Sequence, residues 1–465
     1  MMRVPALAGF FIAILFTAAL VSAVPARAGP DQDEEGRMHY EAVLGKDEQR
    51  DTAVKALAAR GNLDAVPTLL LGMRVQYRGM PAYREAFQAL TGEAIEGWFD
   101  GALWLEAHPD VRAHPAYRLV KLEAYELIDP EFRRFLSGER SKPENMRIRI
   151  AEIYWGGVPV DGIPPLDNPT MVAPGEADYL VDEDLVFGLE IDGDARAYPL
   201  RILGWHEMMN DVVGGVPVAL AYCTLCGSGI LYETHVEGRG APFVFSSTGF
   251  LYRSNKLMYD RETDSVWNQF TGEPVMGPLV DSGVRLEIRP LAITSWAKWR
   301  ARHPETTVVS IETGYARDYG SGVVYRDYFA SPELMFPALV QDRSRVRAKD
   351  YVFALRDFAV AKAWPLDLFE GGKVINDTLG DKSVVLIGDA ESRTVRAYAR
   401  GGQRFEGGDD SESLAAGSEI WRIEEAYLQG PDGAKLPRLP GHIAYWFAWE
   451  NFLGAHAPLS ETVGG

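Results

Sequence analysis

The sequence predicts an α+β protein, with a small all-α unit followed by a large β-rich domain with few helices. Three observations carry that prediction. From Asp51 to about residue 140, apolar residues recur at helical i, i+3, i+4 spacing. After about residue 148 the pattern changes to short alternating runs separated by turn residues. Glycine supplies 46 of the 465 residues, well above the usual ~7%, as a turn-rich β body requires. The length also exceeds the ~250–300 residues at which a single core stops growing, so two units are expected.

The elements follow in chain order. Residues 1–28 read as a signal peptide, with Arg3 as the positive end, an apolar run from Pro5 to Val24 and a small-x-small cleavage site at Ala26-Arg27-Ala28. The alternative is an uncleaved anchor, since the run approaches the ~20 residues a spanning helix needs. Cleavage is favoured because Pro25 breaks the helix where a peptidase acts, which predicts a periplasmic or secreted chain with no later membrane span. Residues 29–50 are polar and charged and read as a flexible lead-in. In the unit 51–140, Val54, Leu57 and Ala58, then Val66, Leu69, Leu70 and Met73, define two helices broken at Gly61-Asn62. Tyr83, Phe87 and Leu90 share the face of a third, and Tyr117–Leu127 and Pro130–Leu136 continue in a degenerate, HEAT-like style. Ser137–Pro143 breaks the pattern.

The domain 148–456 opens on the alternating MRIRIAEIYWGG. Val186–Ile191 and Ala195–Pro199 then read as a hairpin around Asp192-Gly193-Asp194. A strand is expected over Tyr198–Leu203, and further strands from PVALAYC onward to EIWRIEE. One clear helix is expected here, Thr294–His303, capped by Thr294 or Ser295.

Charge and cysteine content narrow the function. A formal net charge of -19 without a basic run excludes nucleic acid as a partner, because phosphate neutralisation needs clustered positive charge. The two cysteines, Cys223 and Cys226, exclude a disulfide scaffold and multi-knuckle zinc folds, so sulfur chemistry is confined to one point. In Tyr222-Cys-Thr-Leu-Cys-Gly-Ser-Gly229 three readings compete. A redox pair of the thioredoxin kind would open a helix whose dipole stabilises the thiolate, yet a strand-like Ile230–Thr234 follows. A metal knuckle fits a strand–turn–strand setting but supplies two ligands where zinc or iron takes about four. A disulfide closing so short a turn contributes about 2 kcal/mol or less.

His206, just upstream among Trp205, Met208 and Met209, is the candidate third metal ligand, against the alternative of a hydrogen-bonded core histidine. His235 is a weaker candidate. Tyr252–Gln269 is dense in Tyr, Arg, Asp, Asn and Trp, a mixture that lines polar pockets. Tyr252, Asp260, Arg261 and Trp267 are its candidate ligand-binding residues, against a plain hairpin with surface charges. Thr313–Gly320 is a third polar–aromatic patch.

Several of these segments carry a family resemblance. Ala195-Arg-Ala-Tyr-Pro-Leu200, Trp205-His-Glu207, Asn210-Asp211, Tyr-Cys-x-x-Cys-Gly-Ser-Gly and Met258-Tyr-Asp-Arg-x-Thr-x-Ser-x-Trp267 occur in that order. With Trp155-Gly-Gly-Val-x-x-Asp-Gly-Ile-Pro164 and Trp446-Phe-Ala-Trp449, they resemble the domain of unknown function 3179 over about residues 148–455. The resemblance implies an exported protein of bacterial type and carries no mechanism. Two functions therefore stay open. One is a redox or metal-handling protein built on Cys223, Cys226 and His206, with Cu, Zn or Fe as the candidate metals. The other is a non-catalytic extracytoplasmic domain with a structural disulfide that binds a small ligand or another exported protein. Whether the chain is an enzyme is not fixed at this level.

Overall fold

The computed structural model describes residues 33–76, 79–340, 345–357, 360–453 and 459–460; residues 1–28, expected to be a signal peptide, lie outside them. Helices come first and sheets follow, the order expected. Helices Asp47–Arg60 and Val66–Val75 flank the Gly61-Asn62 break, Gly61 adopting a left-handed φ of 66° as the C-cap. Helices Met80–Thr91, Trp98–Ala107 and Tyr117–Glu126 complete the bundle, with the short Arg133–Leu136 after them.

The lead-in differs from expectation. It is helical over Glu34–Leu44, where the Asp33 carboxylate accepts from the Gly36 amide at 2.8 Å. The acidic residues that suggested disorder are a cap and a dipole-matched first turn, and the helix buries His39, Ala42 and Val43.

Beyond the bundle lie three five-stranded sheets, one of three strands and one of eight. The first sheet runs Ile153–Trp155, Phe245–Tyr252, Asn255–Asp260, Val266–Asn268, Glu273–Met276 in spatial order. Helices and sheet share one core: Val54, Leu57, Leu69 and Phe132 belong to the same apolar cluster as Ile153, Phe250, Tyr259 and Met276. Phe132 stacks on Phe250 with centroids 4.6 Å apart. The break at Ser137–Pro143 thus changes secondary structure without separating two cores.

The Leu185–Ile191/Asp194–Pro199 hairpin forms as expected, and Ser295 caps the Trp296–Arg302 helix through the Lys298 amide at 3.3 Å. Three expectations need correction. The alternating run at 146–157 yields a strand only over Ile153–Trp155, after a 3-10 turn at Ile150–Glu152. The strand expected to Leu203 stops at Pro199, and Leu200–His206 is a helix with Pro199 as its N-cap. The β-rich part also holds the helices Arg326–Ala330 and Trp446–Leu453. Their Tyr and Trp content reads equally well as strand, so packing decided them.

His442, on the strand His442–Tyr445, is buried against Phe270 at 5.2 Å with neither ring nitrogen hydrogen-bonded. Burial, then the Arg356 charge, lowers its pKa from 6.5 to about 3. The unfolded chain therefore takes up this proton first, and stability is lost as pH falls from about 6.5 toward 3, by at most about 1.4 kcal/mol per pH unit. His442→Phe is expected to flatten that decline, read as a smaller drop in urea midpoint between pH 7 and pH 4. An identical decline in the variant would show that His442 is not a source of acid lability.

Candidate functional site

The second sheet positions the cysteines. Strand Val216–Cys223 pairs antiparallel with Ser228–Glu233, and the last pair is Cys223 with Ser228. Thr224–Gly227 is the connecting turn, closed by the Cys226 amide on the Cys223 carbonyl at 3.2 Å. Gly227 has φ 58°, and a Cβ there would lie 2.8 Å from the Tyr351 ring and 3.2 Å from that of Tyr445. Glycine is thus required twice, for the backbone and for the aromatic contact. A strand follows the turn, as the sequence indicated, so the pair does not itself open a helix.

Both cysteines are free thiols, and their exposures are 1% and 0%. The second face of the site comes from the first sheet. Arg253 and Ser254 take left-handed φ of 48° and 66° in the hairpin joining Phe245–Tyr252 to Asn255–Asp260. Two successive positive φ values are the demand of a type I′ turn. That turn brings the Ser254 carbonyl to accept from Cys226 Sγ at 3.4 Å and Asn255 Nδ2 to donate to it at 3.2 Å. Asn255 is held by Gln269 Oε1 at 2.8 Å, and Gln269 Nε2 donates to the Ala221 carbonyl at 2.8 Å. Burial pushes the Cys226 thiol well above its usual pKa, with the neighbouring Cys223 side chain adding to the rise and the Asn255 amide opposing it.

A buried ion pair completes the centre. Lys256 Nζ donates to the Glu207 carbonyl at 3.0 Å and stands 3.6 Å from its carboxylate. Glu207, the left-handed C-cap of the Leu200–His206 helix, accepts from Thr224 Oγ1 at 2.7 Å and the Tyr325 hydroxyl at 3.3 Å. Burial lowers the Lys256 pKa, and the charges of Glu207 and Cys223 oppose that loss. Tyrosines roof the turn. Tyr328 donates to the Leu225 carbonyl at 2.7 Å, and Tyr351 and Tyr445 stack at 4.5 Å. Arg393 donates to the Tyr351 hydroxyl at 2.9 Å.

Cys223 and Cys226 are thus brought together, but His206 is not brought to them. Its Nδ1 is 2.8 Å from the Pro164 carbonyl and its Nε2 is 2.6 Å from the Tyr319 hydroxyl. A carbonyl can only accept, so Nδ1 carries the proton and Nε2 accepts from Tyr319. Both ring nitrogens are engaged, beside a cleft of about 260 Å³ lined in part by Pro165, Asp167, Thr313 and Tyr315. Thr313–Gly320 does form a polar patch, against His206 rather than the sulfurs, through Tyr319 and Thr313 at 2.6 Å. Among the described residues, the set of three His, Cys, Asp or Glu ligand atoms lying within 4.8 Å of one another is that of His39, Asp64 and His114. There the Arg60 guanidinium already bonds His39 and Asp64, at 3.3 and 3.2 Å.

Three of the four candidate ligand-binding residues, Asp260, Arg261 and Trp267, sit in the hairpin around Tyr259–Val266, and Tyr252 ends the strand before it. Asp260 accepts from the Thr263 amide at 2.7 Å, the Thr263 hydroxyl at 2.8 Å and Trp267 Nε1 at 2.9 Å. Trp267 is fully buried. Arg261 donates to Ser246 Oγ at 2.7 Å and to Asp167 at 2.6 Å. Tyr252 packs on Phe452 at 6.0 Å. These contacts describe a carboxylate-braced turn and its neighbours. The same segment reaches the sulfurs through Ser254, Asn255, Lys256 and Gln269, which the sequence reading passed over. Glu207 was passed over in favour of the adjacent His206, and Tyr325 and Tyr328 carry no motif at all.

The fold and this site define an α+β protein with a sealed dithiol on a β-turn beside a buried lysine–glutamate pair. The chain belongs to the family described as "Protein of unknown function (DUF3179)", which residues 160–456 match. The helical bundle lies outside that match, while the whole dithiol centre lies inside it. No curated protein and no solved structure matches the chain.

Proposed function

We propose that the chain is an exported thiol oxidoreductase in which Cys223 and Cys226 cycle between dithiol and disulfide. The observation that carries this reading is the pair itself: two buried free thiols on one turn, in a centre that also holds the Lys256–Glu207 ion pair. In the oxidising half-cycle both S–H bonds break and one S–S bond forms. Two electrons and the two thiol protons pass to a small-molecule oxidant. Cys226, held by the Ser254 carbonyl and the Asn255 amide, is the resolving sulfur, and Cys223 is the attacking one. The donor set supports redox chemistry over a metal knuckle, because a tetrahedral ion wants about four ligands and His206 is committed elsewhere. The leader sequence supports export. No helix among the described residues is long and apolar enough to cross a membrane.

Protein purified without chelator and equilibrated in dithiothreitol redox buffers is expected to lose both thiols in a single two-electron step. The mature N-terminus is expected at Gly29. Thiols that never pair at any potential would overturn the redox reading. So would a stoichiometric transition metal that disappears in Cys226→Ser, in favour of metal handling.

A further inference from the structure

The sealed sulfurs restrict what can oxidise them. At 1% and 0% exposure under the Tyr325 and Tyr328 roof, neither sulfur presents a surface to any reagent until the roof opens, and a protein disulfide needs by far the largest opening. The smaller the reagent, the smaller that opening, so dithiothreitol can equilibrate slowly while a water-sized oxidant gains in rate.

Three polar oxygens at the site point the same way. Ser228 Oγ, on the register partner of Cys223, has no hydrogen-bond partner. Neither does Ser254 Oγ, on the turn whose carbonyl faces Cys226, nor Asn255 Oδ1, on the amide that donates to Cys226. All three residues are completely buried. An unpaired buried polar atom costs about 1–3 kcal/mol, so three around one dithiol mark a place where a small hydrogen-bonding molecule is accommodated. Serine hydroxyls both donate and accept, whereas the amide oxygen only accepts. The guest must therefore donate as well as accept.

We infer that the oxidant of the Cys223–Cys226 pair is hydrogen peroxide, admitted by size and oriented by Ser228, Ser254 and Asn255. This rests on the redox reading above and names its substrate class. The Cys223 thiolate attacks one peroxide oxygen, the O–O bond breaks, and Cys223 becomes a sulfenic acid. The departing hydroxide takes up the proton that Cys223 gave up on becoming the thiolate, and leaves as water. Cys226 sulfur then attacks the sulfenic sulfur, an S–S bond forms, and the hydroxyl leaves as a second water with the Cys226 proton. Two thiols lose two electrons, and one peroxide becomes two waters.

The test compares oxidants on the full mature chain, with thiol loss followed by stopped flow. Hydrogen peroxide is expected to consume both thiols at least about a hundredfold faster than cumene hydroperoxide does, where free cysteine shows little preference. Cys226→Ser is expected to stop at a sulfenic acid that dimedone traps on Cys223. Ser254→Ala, which removes one buried hydroxyl and leaves the Ser254 backbone carbonyl in place, is expected to slow the peroxide reaction about tenfold, or about 1.4 kcal/mol. In that variant the dithiothreitol midpoint potential is expected to stay unchanged. A pair that titrates reversibly with dithiothreitol but shows no preference for hydrogen peroxide overturns this inference and leaves the redox reading standing. A pair that does not titrate overturns both. Should Ser254→Ala misfold, the oxidant comparison on the unaltered chain decides alone.

Discussion

Glu425→Gln is expected to destabilise the folded chain by about 3–5 kcal/mol, the cost of removing one partner from a buried ion cluster. The Glu425 side chain is 1% exposed and gathers three guanidinium groups. Arg396 binds it at 2.7 Å, Arg302 stands at 2.8 Å, and Arg438 bonds its second oxygen. His303 lies at 3.6 Å. Arg396 and Arg438 come from the eight-stranded sheet, while Arg302 ends the Trp296–Arg302 helix. Arg438 also donates to the Leu291 carbonyl at 3.1 Å. The carboxylate therefore pins the eight-stranded sheet to the sheet of the Leu185–Ile191/Asp194–Pro199 hairpin, whose strand Ala292–Ser295 leads into the Trp296–Arg302 helix. Without its charge three buried cations repel one another. Burial opposes ionisation of Glu425, but Arg396 and Arg438 outweigh it and hold its pKa well below the ordinary value. Its contribution is thus fully present above the unfolded carboxylate pKa of about 4.3 and is lost as pH falls below that. Urea titration at pH 7 checks the magnitude. A shift under about 1 kcal/mol, the size seen for exposed pairs, would show that the cluster is not what joins the sheets.

Lys256→Met is expected to act twice. It leaves the Glu207 carboxylate buried without its ammonium, which costs stability on the same scale, about 3–5 kcal/mol. It also removes the positive charge facing Cys223, slowing thiol oxidation at neutral pH by about tenfold or more. The two effects separate in the double variant Lys256→Met/Glu207→Gln. Removing both charges is expected to restore most of the stability, since a buried pair replaced whole is close to neutral. The oxidation rate is expected to stay slow. If the double variant recovers its rate along with its stability, Lys256 serves only the fold.

The hairpin at 186–199 and the Ser295-capped helix were legible because each is written locally, in a Gly-containing turn or a serine before an amphipathic run. The lead-in helix was missed for a local reason of another kind. Its acidic start reads as disorder until the bundle supplies a surface for His39, Ala42 and Val43 to cover. The segment Tyr252–Gln269 left a polar pocket and a plain hairpin equally open, and its strands pair as hairpins. The contacts were sought at Asp260, Arg261 and Trp267, and the sulfurs are met at its other end. A strand alternates its faces but does not announce which end of a hairpin meets another sheet.

By itself, the sequence determined the order of helical and β-rich parts, the family, the single point of sulfur chemistry and the absence of a helix after it. All of these depend on residues adjacent in the chain, where spacing is geometry. Only the tertiary structure decided that Glu207 and Lys256, rather than His206, accompany the thiols, and that tyrosines from 325 to 445 close over them. Those side chains come from different sheets and meet through packing across long sequence separations. No local period encodes such a meeting, because the apolar burial that drives it is without direction.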